Sequence, residues 1–240
     1  MSADGAAVGN RECVIVLHGL GRTPLAMAAL ARHLRAAGYS VRNVGYPSQH
    51  YPIEQLVEQY LRPVVDEVMA EGVGKLHFVG HSMGGILSRY LLARYRPPML
   101  GRVVTIASPH QGTELVDFLS RTPLFRWLKG PAGVQLGTGS NSVPRQLPAP
   151  DYELGSIAGT RSNNAFFSWL MPGVDDGKVP VARTRVEGMT DFITLPFTHT
   201  FIQQRRRTCQ QVEHFLRHGH FDHAAEAGTD ERSGAGGAMA

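Results

Sequence analysis

The sequence predicts an α/β fold with a mostly parallel central sheet and helices on both faces. Three observations carry that reading. Short apolar, β-rich runs alternate with helical patterns along the chain, and each parallel connection needs a crossover long enough to hold a helix. The runs are nearly continuous in apolar residues, as in CVIVLHG (13 to 19), which suits strands covered on both faces. The 240 residues are 42% hydrophobic and carry no internal repeat, so they can bury one sizeable core in a single domain.

In order, CVIVLHG is the first strand, followed by a helix from Pro24 to Ala37 that Gly38 stops. SVRNVGYP (40 to 47) is the second strand. The next helix, Ile53 to Ala70, places Ile53, Leu56, Val57, Tyr60, Leu61, Val64, Val65 and Val68 at helical spacing, with Pro63 as a bend. KLHFVG (75 to 80) is the third strand and runs directly into a helix from Met83 to about Tyr95, ended by Pro97 and Pro98. RVVTIASP (102 to 109), GSIAGT (155 to 160) and DFITL (191 to 195) complete the strands, and a closing helix runs from about Thr198 to Phe215. The long stretch between the fourth and fifth strands, 110 to 154, is a candidate cap or lid insertion on a domain spanning 12 to 217. Residues 1 to 11 and 218 to 240 are expected to be a flexible N-terminus and a disordered tail.

Composition excludes several classes. No stretch reaches the ~18 consecutive apolar residues of a membrane span, and the N-terminal apolar run is too late and too short for a signal peptide, so a cytoplasmic location is expected. Cys13 and Cys209 show no metal or redox spacing and are expected to be free thiols. The net charge of +4 comes from arginines spread along helices, and Arg205 to Arg207 read as a solvated helix face, with no nucleic-acid module. His218, His220 and His223 have an H-x-H-x-x-H spacing, but beside Gly219 and a low-complexity tail they read as a frayed terminus, with no metal site expected.

The chemistry concentrates at FVGHSMGG (78 to 85), a G-x-S-x-G pattern at the junction of a strand and a helix. Open α/β sheets bind ligands outside the carboxyl ends of their strands, where Ser82 is placed. Gly80, Gly84 and Gly85 let the crowded turn close, and the helix starting at Met83 directs its N-terminal amides toward developing negative charge. The first strand ends in HGLGRT, whose glycines permit close backbone approach. The Leu20 and Met83 amides are therefore the candidate oxyanion donors.

HGLG, GHSMGG and ASPHQGTE each fall where the α/β-hydrolase superfamily carries its oxyanion loop, nucleophile elbow and following strand. Over about residues 12 to 217 the chain resembles that superfamily, specifically small bacterial triacylglycerol lipases and related esterases. The resemblance implies an α/β-hydrolase fold, a serine, acid, histidine order along the chain, and no cofactor. Reasoning from strand ends alone puts the acid after the fifth strand, in PGVDDGKVPV, and the base after the sixth, in LPFTHTF. Similar hydrolases keep their acid in a D-G-x-V-P stretch, which matches Asp176 and leaves Asp175 to cap the turn; the base position matches His199. His18, His77, His81, His110 and the C-terminal histidines are read as structural or supporting.

In this reading Ser82 attacks an ester carbonyl, His199 takes its proton, and Asp176 orients the imidazole. Phe118, Leu124, Phe125 and Trp127, within an apolar cap segment that also holds Leu115, Leu119 and Leu128, and Phe166 and Phe167 of NAFFSWLMP, are the candidate substrate-binding residues. They favour a hydrophobic small-molecule or lipid ester, and transient contact with a membrane surface stays open. No feature of the chain sets an oligomeric state. Two rival readings stand beside the esterase: thioester or amide cleavage or acyl transfer by the same residues, and a non-catalytic binding protein on this fold.

Overall fold

The computed structural model describes residues 11–140, 142–171 and 173–224, without the side chains of residues 124–126 and 128. Six parallel strands form one sheet in the order β2-β1-β3-β4-β5-β6. They are β1 (Glu12–Leu17), β2 (Ser40–Val44), β3 (Lys75–His81), β4 (Leu100–Ile106), β5 (Leu154–Gly159) and β6 (Asp191–Leu195).

The apolar run of β1 explains its central place. Cys13, Ile15 and Leu17 face one hydrophobic core, while Val14 and Val16 face the other, so no position is left for a polar side chain. The first core lies under α2 (Ile53–Leu56), a π turn (Val57–Leu61), α3 (Arg62–Ala70) and α4 (Met83–Leu92); the second lies under α1 (Ala28–Ala36) and α9 (Arg206–His218). Cys13 and Cys209 belong to different cores and are both free and buried.

Local departures from the expected elements have physical causes. The helix expected at Pro24 opens as a 3-10 turn, Pro24–Met27. The helix expected from Ile53 to Ala70 is interrupted by the π turn just before Pro63, where the missing proline N–H would break a regular ladder. The closing helix begins only at Arg206, after a 3-10 turn at Ile202–Gln204. Residues 196–201 are instead spent on a loop tied back by Arg161 N to Phe197 O (3.3 Å) and His199 N to Asp176 O (2.9 Å).

Beyond β4 the chain folds into α5 (Glu114–Leu119), α6 (Pro123–Val134) and α7 (Val143–Gln146), with Gly130 and Pro131 breaking α6. Gln135 ties this segment to the main body, accepting from Ile53 N (2.8 Å) and donating to Glu54. A further short helix, α8 (Ala165–Leu170), follows β5. Within the segment expected as a tail, Phe221 is buried against Phe215, and its amide donates to Asp191 (2.7 Å). Residues 1–10 and 225–240 of the expected termini lie outside the described residues. Among the described residues no helix is long and apolar enough to cross a membrane, and no cluster of His, Cys, Asp or Glu has metal-binding geometry. His223 Nε2 meets Asp191 at 3.0 Å.

Candidate active site

The sharp turn from β3 to α4 sets Ser82 at φ 54°, ψ −120°. Such a backbone costs a non-glycine residue roughly 1–3 kcal/mol and persists only where the surroundings enforce it. Here they do: Ser82 N donates to Ile106 O (2.8 Å) in β4, and the flanking glycines allow backbone to touch backbone. A Cβ on Gly80 would lie 2.3 Å from Gly85 N, and one on Gly84 2.5 Å from Leu17 O. The turn therefore packs directly on the end of β1.

Three side chains from distant parts of the chain form one hydrogen-bonded line. Ser82 Oγ–H donates to His199 Nε2 (3.0 Å), and His199 Nδ1–H donates to Asp176 Oδ2 (2.8 Å). The second carboxylate oxygen, Oδ1, accepts from Lys178 N (3.0 Å) and Val179 N (2.8 Å). All three residues are buried, with 9%, 5% and 2% of their surface exposed for Ser82, His199 and Asp176, so the serine end is the one nearest solvent. Because Asp176 offers only an acceptor to Nδ1, the imidazole presents Nε2 to the serine as an acceptor. Asp175 belongs to a separate system: its Oδ1 accepts from Gly177 N (2.6 Å) and Ser168 Oγ (3.1 Å).

The HGLG loop lies beside the serine, since a Cβ on Gly19 would come within 3.2 Å of Ser82 Cβ. Leu20 lines the same cavity as Ser82, and among the described residues neither the Leu20 nor the Met83 amide donates to a protein acceptor. The loop is held by residues that sequence reasoning did not select. His18 stacks on Tyr46 at 4.0 Å between ring centroids, the Tyr46 hydroxyl donates to His18 O, and Gly21 N donates to Ser48 Oγ (2.9 Å).

Two further histidines are built in as neutral rings. His81 Nε2–H donates to the His199 carbonyl (3.0 Å), with its ring 5.1 Å from that of His199. His110 accepts from Arg89 Nη1 at Nδ1 (3.2 Å) and donates from Nε2 to Thr105 Oγ1 (2.9 Å). Burial pushes both pKa values well below the usual histidine range, with the neighbouring His199 adding to the effect on His81 and Arg89 to that on His110.

A cavity of about 320 Å³ opens at Ser82 and His199. Its apolar wall is Leu20, Pro109, Leu115, Val116, Leu119, Leu136, Phe167 and Val179, and its polar lining is Thr113, Lys129 and Lys178. Of the expected substrate-binding residues, Phe167 lines this cavity. Phe118 and Phe166 do not: they meet each other at 6.1 Å on the outer surface, 40% and 54% exposed. Trp127 is 79% exposed and also lies off the cavity. Each of the short helices α5 and α8 sets one face toward the cavity and the other outward, and large apolar side chains lie on both faces. The side chains of Leu124 and Phe125 lie outside the described residues.

A parallel sheet in this order, with a strained serine after β3 and a histidine after β6, defines an α/β hydrolase. The model of the Alpha/beta hydrolase family matches residues 14–230, and the chain belongs to that family. Triacylglycerol lipases from Pseudarthrobacter phenanthrenivorans and Burkholderia plantarii are 42% identical over 62 residues, which is 26% of this chain and 19% and 17% of theirs. The chain thus matches less than a fifth of the length of these relatives. Among solved structures, the mature Bacillus licheniformis lipase BlEst2 shares the fold at a TM-score of 0.57 and 20% identity, over 82% of this chain and 88% of that one.

Proposed function

We propose that this protein hydrolyses carboxylic esters through an acyl-enzyme on Ser82. The observation that carries this reading is the unbroken line from Ser82 through His199 to Asp176, ending at an apolar cavity. His199 Nε2 takes the hydroxyl proton as Ser82 Oγ bonds to the carbonyl carbon, and Asp176 holds the imidazolium that forms. The Leu20 and Met83 amides receive the oxyanion, which the N-terminal end of α4 further favours. Collapse of the tetrahedral species expels the alcohol with the proton from His199. Water then attacks the acyl-enzyme by the same route, releasing the acid and restoring Ser82.

In this reading residues 110–154 act as a cap: α5 and α6 roof the cavity, and its apolar wall receives the acyl or alcohol chain. The similarity to triacylglycerol lipases supports an ester over an amide as the bond cleaved. The test is a matched set of chromogenic ester, thioester and anilide substrates across acyl lengths. Cleavage of the ester well ahead of the anilide is expected; anilide turnover at least equal to ester turnover would overturn the assignment.

A further inference from the structure

Two of the residues that line the cavity are lysines that the chemistry above does not use. Lys129 comes from α6 and Lys178 from the turn that follows Asp176, so separate segments bring both to one cavity beside Ser82. Lys178 is fixed by its backbone: its amide donates to Asp176 Oδ1 (3.0 Å), and its carbonyl accepts from Thr113 Oγ1 (2.8 Å).

Among the described residues neither ammonium has an ion pair or a side-chain hydrogen bond, and nearby carboxylates are engaged elsewhere. Asp176 holds His199, Glu114 pairs with Arg183, Asp117 accepts from Thr138, and Glu54 accepts from Gln135. Lys129 is half-buried and Lys178 stays exposed at the cavity wall; partial desolvation lowers the Lys178 pKa, and the charges of Lys129 and, less, Arg22 lower it further, opposed by the Asp176 carboxylate. Two like charges facing an apolar space are unfavourable for a wholly neutral ligand, whose methylenes would strip water from the ammoniums without replacing it. A bound anion offsets the repulsion and takes the place of the water that a ligand displaces from the two ammoniums.

We infer that the ester cleaved at Ser82 carries an anionic oxygen group, a carboxylate or a phosphate, which Lys129 and Lys178 receive at the cavity wall. The inference rests on the ester-hydrolase reading and narrows its substrate class. The reacting carbonyl sits at Ser82, and the anion lies across the cavity between α6 and the turn after Asp176.

The test uses three para-nitrophenyl esters of equal length, ending in a methyl ester, a carboxylate or a methyl phosphate. A fluorophosphonate labels Ser82 in parallel to report folding and a competent nucleophile. Wild type should show a kcat/KM at least about tenfold higher for one anionic ester than for the neutral one, the scale of a charge-assisted contact. The carboxylate and phosphate arms identify which anion is preferred. Lys129→Gln/Lys178→Gln should bring the ratio to parity, Lys178→Glu should reverse it, and the remote Lys75→Gln should keep it. A labelled wild type that cleaves the neutral ester at least as fast as both anionic ones overturns the inference alone, as does a double variant that retains the preference. Absence of both labelling and cleavage overturns the ester-hydrolase reading and this inference with it.

Discussion

Asp175 and Asp176, neighbours in sequence, face separate hydrogen-bond systems: Asp176 Oδ2 accepts from His199 Nδ1 at 2.8 Å, while Asp175 Oδ1 caps Gly177 N at 2.6 Å. One carboxylate orients the imidazole and the other closes the turn that carries it. Asp176→Asn should lower kcat by ~10³ to 10⁴, by analogy with other triads, because an amide favours the wrong imidazole tautomer. Asp175→Asn should cost on the order of 1 kcal/mol of stability and little rate. Turnover and melting temperature of both variants check this; equal kinetic losses would place the two carboxylates in one role.

The serine turn predicts an intolerance to one methyl group. Gly80→Ala puts a Cβ against the Gly85 backbone, where no side chain can move aside. The variant should lose ~1–3 kcal/mol by overpacking, or keep its fold by shifting Ser82 away from His199 and lose turnover. Denaturant midpoint and ester turnover measured together would show one loss or the other, and a variant normal in both contradicts the packing described.

His81 and His110 make stability pH-dependent. Both are held neutral by burial, with folded pKa values below that of the unfolded chain. The unfolded state therefore binds more protons, and stability is complete above the unfolded value and falls as pH drops below it. Each contributes a loss of about 1.4 kcal/mol per pH unit below roughly pH 6.5 until its folded pKa is reached. Urea midpoints should fall between pH 7.5 and 5.5, and less steeply in a His110→Gln variant. A flat profile would mean that these rings bind protons in the fold as readily as in the unfolded chain.

Because Leu115, Val116 and Leu119 line the cavity, substitutions in α5 are expected to change chain-length preference. Leu119→Trp should fill space next to Ser82 and lower kcat/KM for long acyl esters more than for acetate, while Trp127→Ala, outside the cavity, should change neither strongly. The reverse pattern in an acyl-chain series would move the binding wall to the outer surface.

Much of this arrangement is legible in the sequence, for identifiable reasons. A strand covered on both faces is an apolar run, as β1 is, and DFITL coincides with β6, an edge strand in which Ile193 and Leu195 are buried. Glycines around a serine mark a turn with no room for side chains, and the order of strands brings positions 82, 176 and 199 to one sheet edge. The cavity wall is less legible. Leu115 and Leu119, one helical turn apart, face inward while the adjacent Phe118 faces outward, a choice that tertiary packing makes and hydrophobicity alone does not. Lys129 and Lys178 carry no motif, and only the fold brings them to one cavity. Tyr46 and Ser48 carry no motif, because their role depends on which loop they meet.

The central claim is that Ser82 forms the covalent intermediate, and the most direct measurement is intact mass after fluorophosphonate treatment, with peptide mapping and ester turnover on the same samples. The account predicts one adduct per chain, mapped to Ser82, and for Ser82→Ala no adduct, an unchanged melting profile and turnover lower by ~10⁴ or more. An adduct on another residue, or a Ser82→Ala protein that keeps near-normal turnover, would contradict it.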